Sequence, residues 1–139
     1  MQDLSPRTQR IIVRGLLIRK GRVLIVEEAT RGISPGEYYD LPGGTVSFGK
    51  EPSEMLEILF YEQTRIPVVA HEPFRVTHRI VEHGTTHVIE VTYRVTMESS
   101  RGKKKVREFP RIKWVSVDDT GYFFSTRIPE SIELGTLLC

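Results

Sequence analysis

The sequence predicts an α/β fold in which helices are layered on a mixed β-sheet, within a single domain spanning residues 1–139. Three observations predict it. Two apolar, β-rich runs at the start meet at a glycine turn, and one helix-forming segment follows in the middle of the chain. After it come two longer β-rich runs, a short strand and a closing helical segment. A chain of 139 residues is of single-domain size and long enough to enclose a proper core.

Each element has a local reason. "RIIVRGLLIRKGRVLIVEEA" reads as two strands around Lys20-Gly21, because glycine tolerates the positive φ of a tight hairpin turn. "TRGISPGEYYD" is loop, punctuated by Gly32, Pro35 and Gly36. A helix is expected over Ser53 to Gln63. Pro52 suits a first turn that needs no N–H partner, Glu51 and Glu54 complement the positive end of the helix dipole, and Pro67 stops the chain from continuing.

"FRVTHRIVEHGTTHVIEVTYRVTME" contains two β segments joined through His83-Gly84. In the second, Ile89, Val91, Tyr93 and Val95 alternate with Glu90, Thr92 and Arg94, the period of a strand with one buried face. "SSRGKKKVRE" reads as a polar, basic hairpin tip, "RIKWVSVDD" as a strand, and "IPESIELGTLL" as a terminal helix with Pro129 in its first turn.

Composition narrows the function classes. Hydrophobic and charged fractions of 39% and 27% are those of an ordinary globular protein. A net charge of +2, with basic and acidic residues interspersed, argues against nucleic acid as an obligatory partner. The single cysteine, Cys139, leaves no intrachain disulfide and no Cys-based metal site. The start lacks the apolar core of a signal peptide, and no apolar run approaches the length that spans a bilayer, so no membrane association and a cytoplasmic location are expected.

The helix carries an unusual surface. At 100° per residue Ile58, Met55, Leu59, Leu56 and Phe60 sweep an apolar arc of about 200°, wider than the stripe of about 100° that one packed face requires. Part of that arc has no packing reason to be apolar. The whole stretch, "LPGGTVSFGKEPSEMLEILFYEQTRIPV", runs from a Pro-Gly-Gly turn through Gly49 into this helix.

These residues resemble the Nudix box, G-x5-E-x7-R-E-U-x-E-E-x-G-U with U aliphatic, set in a loop-helix-loop after a "PGG" turn. "EYYDLPGG" before it and "KWVSVDD" after it resemble the segments that flank the box in this family, so the resemblance covers nearly the whole chain. It implies a Nudix-like α/β/α sandwich with a mixed sheet. The opening Gly falls on Gly44 and the second turn on Gly49. The first Glu falls on Lys50, beside Glu51, and Arg-Glu falls on Ile58 and Leu59. Glu-Glu falls on Glu62 and Gln63, and the closing Gly and aliphatic residue on Arg65 and Ile66. In the family the Glu of Arg-Glu and both members of Glu-Glu bind a divalent metal, aided by the carbonyl at the position of Gly43. Of those carboxylates only Glu62 remains.

The resemblance implies Mg2+ or Mn2+ as cofactor, with Glu62, Gln63 and the Gly43 carbonyl as the metal set. It also implies a nucleotide-type small molecule as ligand. Hydrolysing a nucleoside diphosphate linked to another group concentrates negative charge on phosphoryl oxygens, which a metal ion neutralises. Octahedral Mg2+ is normally anchored by carboxylates, and one Glu with an amide oxygen and a backbone carbonyl is a weak substitute. Losing several kcal/mol of charge stabilisation would slow turnover by roughly a thousandfold or more.

Glu62 within the box and Glu90 beyond it are the candidate catalytic carboxylates, and Arg14, Tyr39 and Lys50 the candidate substrate contacts: a cation on the first strand, a stacking ring beside Tyr38, and a cation in the turn of the box. His78, His83 and His87 are scattered over a hairpin and read as surface or turn residues, and Arg101 to Lys105 as a solvated tip.

Two readings compete. One is a Nudix-fold protein with a degenerate box that binds a nucleotide, a nucleoside-diphosphate-linked ligand or a protein partner with little or no hydrolysis. The alternative is a divergent pyrophosphohydrolase that recruits Glu51, Glu57 or Glu90 to a non-standard metal site. Apolar Ile58 and Leu59, where the family has charge, suggest either a homodimer or a closed cleft.

Overall fold

A computed structural model describes residues 7–27, 39–98 and 111–118. The expected basic tip, the terminal helix, Tyr38 and Cys139 lie outside the described residues. Strand β1 (Thr8–Leu16) is followed by β2 (Ile18–Arg19), β3 (Arg22–Glu27), β4 (Tyr39–Asp40) and β5 (Gly43–Thr45). Helix α1 (Pro52–Thr64) comes next, then β6 (Val68–Val81), β7 (Thr86–Met97) and β8 (Ile112–Ser116). The Lys20-Gly21 turn is present as expected. Both residues have positive φ, 53° and 73°, which lets β2 and β3 pair across two residues, Arg19 opposite Arg22.

One sheet has the order β5-β1-β7-β6, with β1 and β7 parallel and the other pairs antiparallel, so it is mixed. A second sheet runs β2-β3-β4, with β8 pairing β3. Helix α1 lies on the first sheet through Leu56 and Phe60, which join Val13, Leu17, Tyr93 and Val95 in one core cluster. A second cluster, including Leu16, Val23, Ile25, Tyr39, Leu41 and Val115, fills the opposite side. Among the described residues no helix is long and apolar enough to cross a membrane.

The burial of β7 corrects the one-face expectation. Tyr93 and Val95 are buried as expected, but Ile89 and Val91 are only half-buried, whereas Glu90 and Thr92, read as the outward residues, are buried. The register explains it. One face of the sheet carries the rows Gln9–His87–Ile80, Ile11–Ile89–His78 and Val13–Val91–Val76, and α1 covers only its far end. The other face carries Arg10–Val88–Arg79, Ile12–Glu90–Thr77 and Arg14–Thr92–Arg75. The Glu90–Thr92 face is the better covered of the two, so on this central strand polar residues at alternate positions do not mark the solvent side.

Candidate functional site

The loop-helix-loop is built from β5, α1 and the turn between them. Gly43 is obligatory: a Cβ there would stand 1.9 Å from the Val13 carbonyl oxygen, inside any allowed contact. This close approach of β5 to β1 fixes the backbone that opens the box. Gly49, with φ 82°, turns the chain towards α1. Glu51 caps the helix, accepting from the Ser53 and Glu54 N–H groups at 3.1 and 2.8 Å and from the Ser53 hydroxyl at 2.6 Å. The Ser53 hydroxyl, followed by the two N–H groups, holds the Glu51 carboxyl below its usual range. At the other end Arg65 takes the left-handed cap conformation, φ 60°, that the family gives to glycine, and its N–H donates to the Tyr61 carbonyl at 2.8 Å.

Inside this frame the amide of Gln63 closes on the backbone of Gly43. Gly43 N–H donates to Gln63 Oε1 at 3.0 Å, and Gln63 Nε2 donates to the Gly43 carbonyl at 2.7 Å. The polarity of the two backbone groups dictates which end of the amide faces which. A carboxylate could accept from the N–H but would have nothing to donate to the carbonyl. Glutamine is therefore the residue this contact requires, at the position where the family pattern has its second Glu. Leu59, half-buried, packs against the α1 core cluster with Cδ1 3.4 Å from where a Cβ on Gly44 would stand.

The sequence-derived metal set meets groups that are already engaged with protein. The Gln63 oxygen and the Gly43 carbonyl are already hydrogen-bonded to each other's groups, and Glu62 stands exposed on α1. Among the described residues no three His, Cys, Asp or Glu side chains come together in a way that could hold a metal ion. The donors present at the box do not fit Mg2+ or Mn2+. Nor are the substitute carboxylates free. Glu51 caps α1, Glu57 accepts from the Ala70 N–H at 2.8 Å, and Glu90 lies on the opposite face of the sheet from the helix.

Arg14 and Glu90, singled out separately, are brought together. Arg14 Nε donates to Glu90 Oε1 at 3.0 Å, and its Nη1 to the Leu41 carbonyl at 3.0 Å, while Nη2 lies 3.8 Å from Asp40 Oδ2. Arg79 approaches the other Glu90 oxygen at 3.4 Å. With the Glu90 side chain only 2% exposed and Arg14 8%, this is a buried charge network whose members offset one another's desolvation. Removing one partner of such a pair costs about 3–5 kcal/mol. The phosphate-contact expectation for Arg14 therefore meets a guanidinium already engaged with protein acceptors.

Tyr39 is engaged as well. Its ring is buried in the second core cluster, with the Lys113 ammonium 4.8 Å from its centroid, so it offers no free stacking surface. Lys50 is exposed in the turn before α1, where an anion could reach it. Asp40 and Arg79 are the residues the sequence reading missed. Asp40 sits beside the quoted "LPGG", but nothing local marks its partner, which lies on another strand. His78 and His87, read as scattered, stand side by side with Nδ1 of one 3.1 Å from Nε2 of the other.

No family model and no curated protein matches the sequence. Solved structures do. A Nudix hydrolase from Nitrosomonas europaea is similar with a TM-score of 0.74 at 17% identity, covering 93% of this chain and 89% of that one. A Nudix-family hydrolase from Clostridium perfringens has a TM-score of 0.68 at 16% identity, covering 93% and 97%. An ADP-ribose pyrophosphatase from Streptococcus suis has a TM-score of 0.52 at 15% identity, covering 79% and 75%. At such identities the likeness is one of architecture, and with the mixed sheet and the glycine-framed loop-helix-loop it establishes that this chain has the fold of the Nudix hydrolases.

Proposed function

We propose that this chain is a Nudix-fold binding protein with a degenerate box, which takes a nucleotide or nucleoside-diphosphate-linked ligand with little or no hydrolysis. The observation that carries the reading is the closure of the Gln63 amide on Gly43, which engages the carbonyl that stands where the family pattern has a metal contact. Leu59 supports it by filling the space over Gly44 with hydrocarbon. A nucleotide-type ligand is supported by the shared fold with the Streptococcus suis pyrophosphatase, and by exposed Lys50 at the mouth of the loop.

The test is turnover and binding on the same preparation. With Mg2+ or Mn2+, ADP-ribose, NADH and nucleoside triphosphates are expected to remain unhydrolysed, while calorimetry or NMR detects saturable binding of at least one of them, weakened by Lys50→Ala. A metal-dependent rate in the range usual for enzymes, lost in Glu62→Gln, would overturn this reading and select the divergent hydrolase.

A second reading, association through the box, has its own observation. Phe48 is fully exposed at 105%, and Ile58 and Tyr61, one helical turn apart on α1, are 54% and 45% exposed. Large apolar side chains exposed on the box loop and on its helix have the composition of a contact surface, and a second copy of this chain is the occupant proposed.

A further inference from the structure

We propose that His78 and His87 form a two-histidine site for a borderline divalent transition-metal ion, Zn2+, Ni2+ or Cu2+, on the exposed face of the β6–β7 hairpin. The site is separate from the box and does not rest on the functional reading above.

The sheet register creates it. His78 pairs with Ile89 and His87 with Ile80, so the two histidines are diagonal neighbours on one face, within reach of long side chains. Nδ1 of His78 stands 3.1 Å from Nε2 of His87. The rings cross at 79° with centroids 5.2 Å apart, which brings nitrogens rather than ring faces together. Two imidazole nitrogens bound to one ion at about 2.0–2.1 Å, in tetrahedral or square-planar geometry, stand roughly 2.9–3.4 Å apart. The observed spacing falls in that range without backbone movement.

The outer partner is also in place. His87 Nδ1 lies 3.3 Å from the side-chain amide of Gln9 on β1, directly across the parallel pair. Turned so that its oxygen accepts from Nδ1–H, that amide fixes the tautomer whose Nε2 lone pair faces His78. Metal-bound histidines usually have such a partner on the other ring nitrogen. His78, with its proton on the outward Nε2, presents the Nδ1 lone pair, so both rings bind as neutral ligands and water fills the remaining positions. The site lies among Ile11, Val76, Ile80 and Ile89 on the part of the sheet that α1 leaves uncovered, and His78 itself is exposed. Imidazole pairs select borderline ions, whereas Mg2+ and Ca2+ prefer oxygen ligands.

The experiment is titration of the full chain with Ni2+ and Zn2+ by calorimetry, with imidazole resonances followed by NMR on addition of Zn2+. One ion per chain is expected, unaffected by excess Mg2+, with Zn2+ shifting the rings of His78 and His87. His78→Ala and His87→Ala should each weaken binding at least tenfold, while His83→Ala leaves it unchanged. Gln9→Glu should tighten it several-fold, because a carboxylate partner raises the basicity of His87, and Gln9→Ala should loosen it; a purely structural contact would not give this opposite pair. Three results would each overturn the proposal: no saturable binding below millimolar Ni2+, equal affinity in His78→Ala, or a loss in His83→Ala as large as in His87→Ala. Circular dichroism of the variants, all changed at surface side chains, checks that they fold.

Discussion

An amide and a carboxylate of the same shape differ by one donor group, and at position 63 that difference decides which backbone groups the side chain can satisfy. Gln63 satisfies both the N–H and the C=O of Gly43. In Gln63→Glu the ionised side chain faces that carbonyl with like polarity, so the variant should be less stable than the parent by about 1–3 kcal/mol at neutral pH. The protonated acid can donate to the carbonyl, which raises the folded-state pKa of the new carboxyl above its unfolded value of about 4.3. Its contribution is therefore fully present below that value and is lost as pH rises through the folded pKa. Urea unfolding should show parent and variant close at pH 4 and apart at pH 7; a gap that shrinks towards neutral pH would contradict the contact. Lys50 and Glu62 are residues of another kind. Each stands exposed on the frame of the box, and their part in any binding is decided by measurement on the ligand, not by packing.

Helix α1 is an element whose ends are fixed by side chains more than by propensity. Glu51 supplies the N-terminal acceptor, and its carboxyl is held below the usual range by the Ser53 hydroxyl first and the Glu54 and Ser53 N–H groups next. A lowered folded-state pKa means stability that is present above the unfolded value and lost as pH falls through the folded one. Glu51→Ala should melt lower than the parent at pH 7, and the difference should close as the pH is taken below 4.5, the ordinary value for this group. Thermal melts at pH 3, 5 and 7 check it, and a difference independent of pH would assign the loss to something other than the ionised cap. The C-terminal end, at Arg65, keeps a backbone conformation favourable to glycine at a cost of about 1 kcal/mol. The guanidinium lies 5.7 Å from the Tyr61 ring centroid, a contact worth about 0.5–1 kcal/mol that offsets much of that cost.

For the whole molecule, the surface around α1 matters most. Phe48, Ile58 and Tyr61 are exposed at the edge of the box, and if a second copy covers them, sedimentation equilibrium should show a dimer that Phe48→Ser with Ile58→Ser dissociates at least tenfold. Because neither side chain is buried in the monomer, the double change should leave the melting temperature of the monomer within a few degrees of the parent. A monomer at all concentrations would remove the association reading and leave the nucleotide reading untouched.

Local sequence determined a large share of this protein. The Lys20-Gly21 hairpin, the start of α1 at Pro52, its stop before Pro67 and the order of strands around it all follow from backbone chemistry within a few residues. The glycine frame of the box was legible for the same reason, since φ preferences are properties of single residues, whereas the left-handed cap at Arg65 runs against the preference of its own residue type. Tertiary structure decided what those elements bring together. Gln63 meets Gly43 across 20 residues, Arg14 meets Glu90 across 76, and the His78–His87 contact depends on a diagonal in the β6–β7 register. The burial of Glu90 and Thr92 depends on a second layer over β7, so their polar alternation pointed to the wrong face. Periodicity records that a strand has two faces, but which one is covered, and which charge lies across from which, is set by neighbours whose distance along the chain leaves no trace in the local pattern.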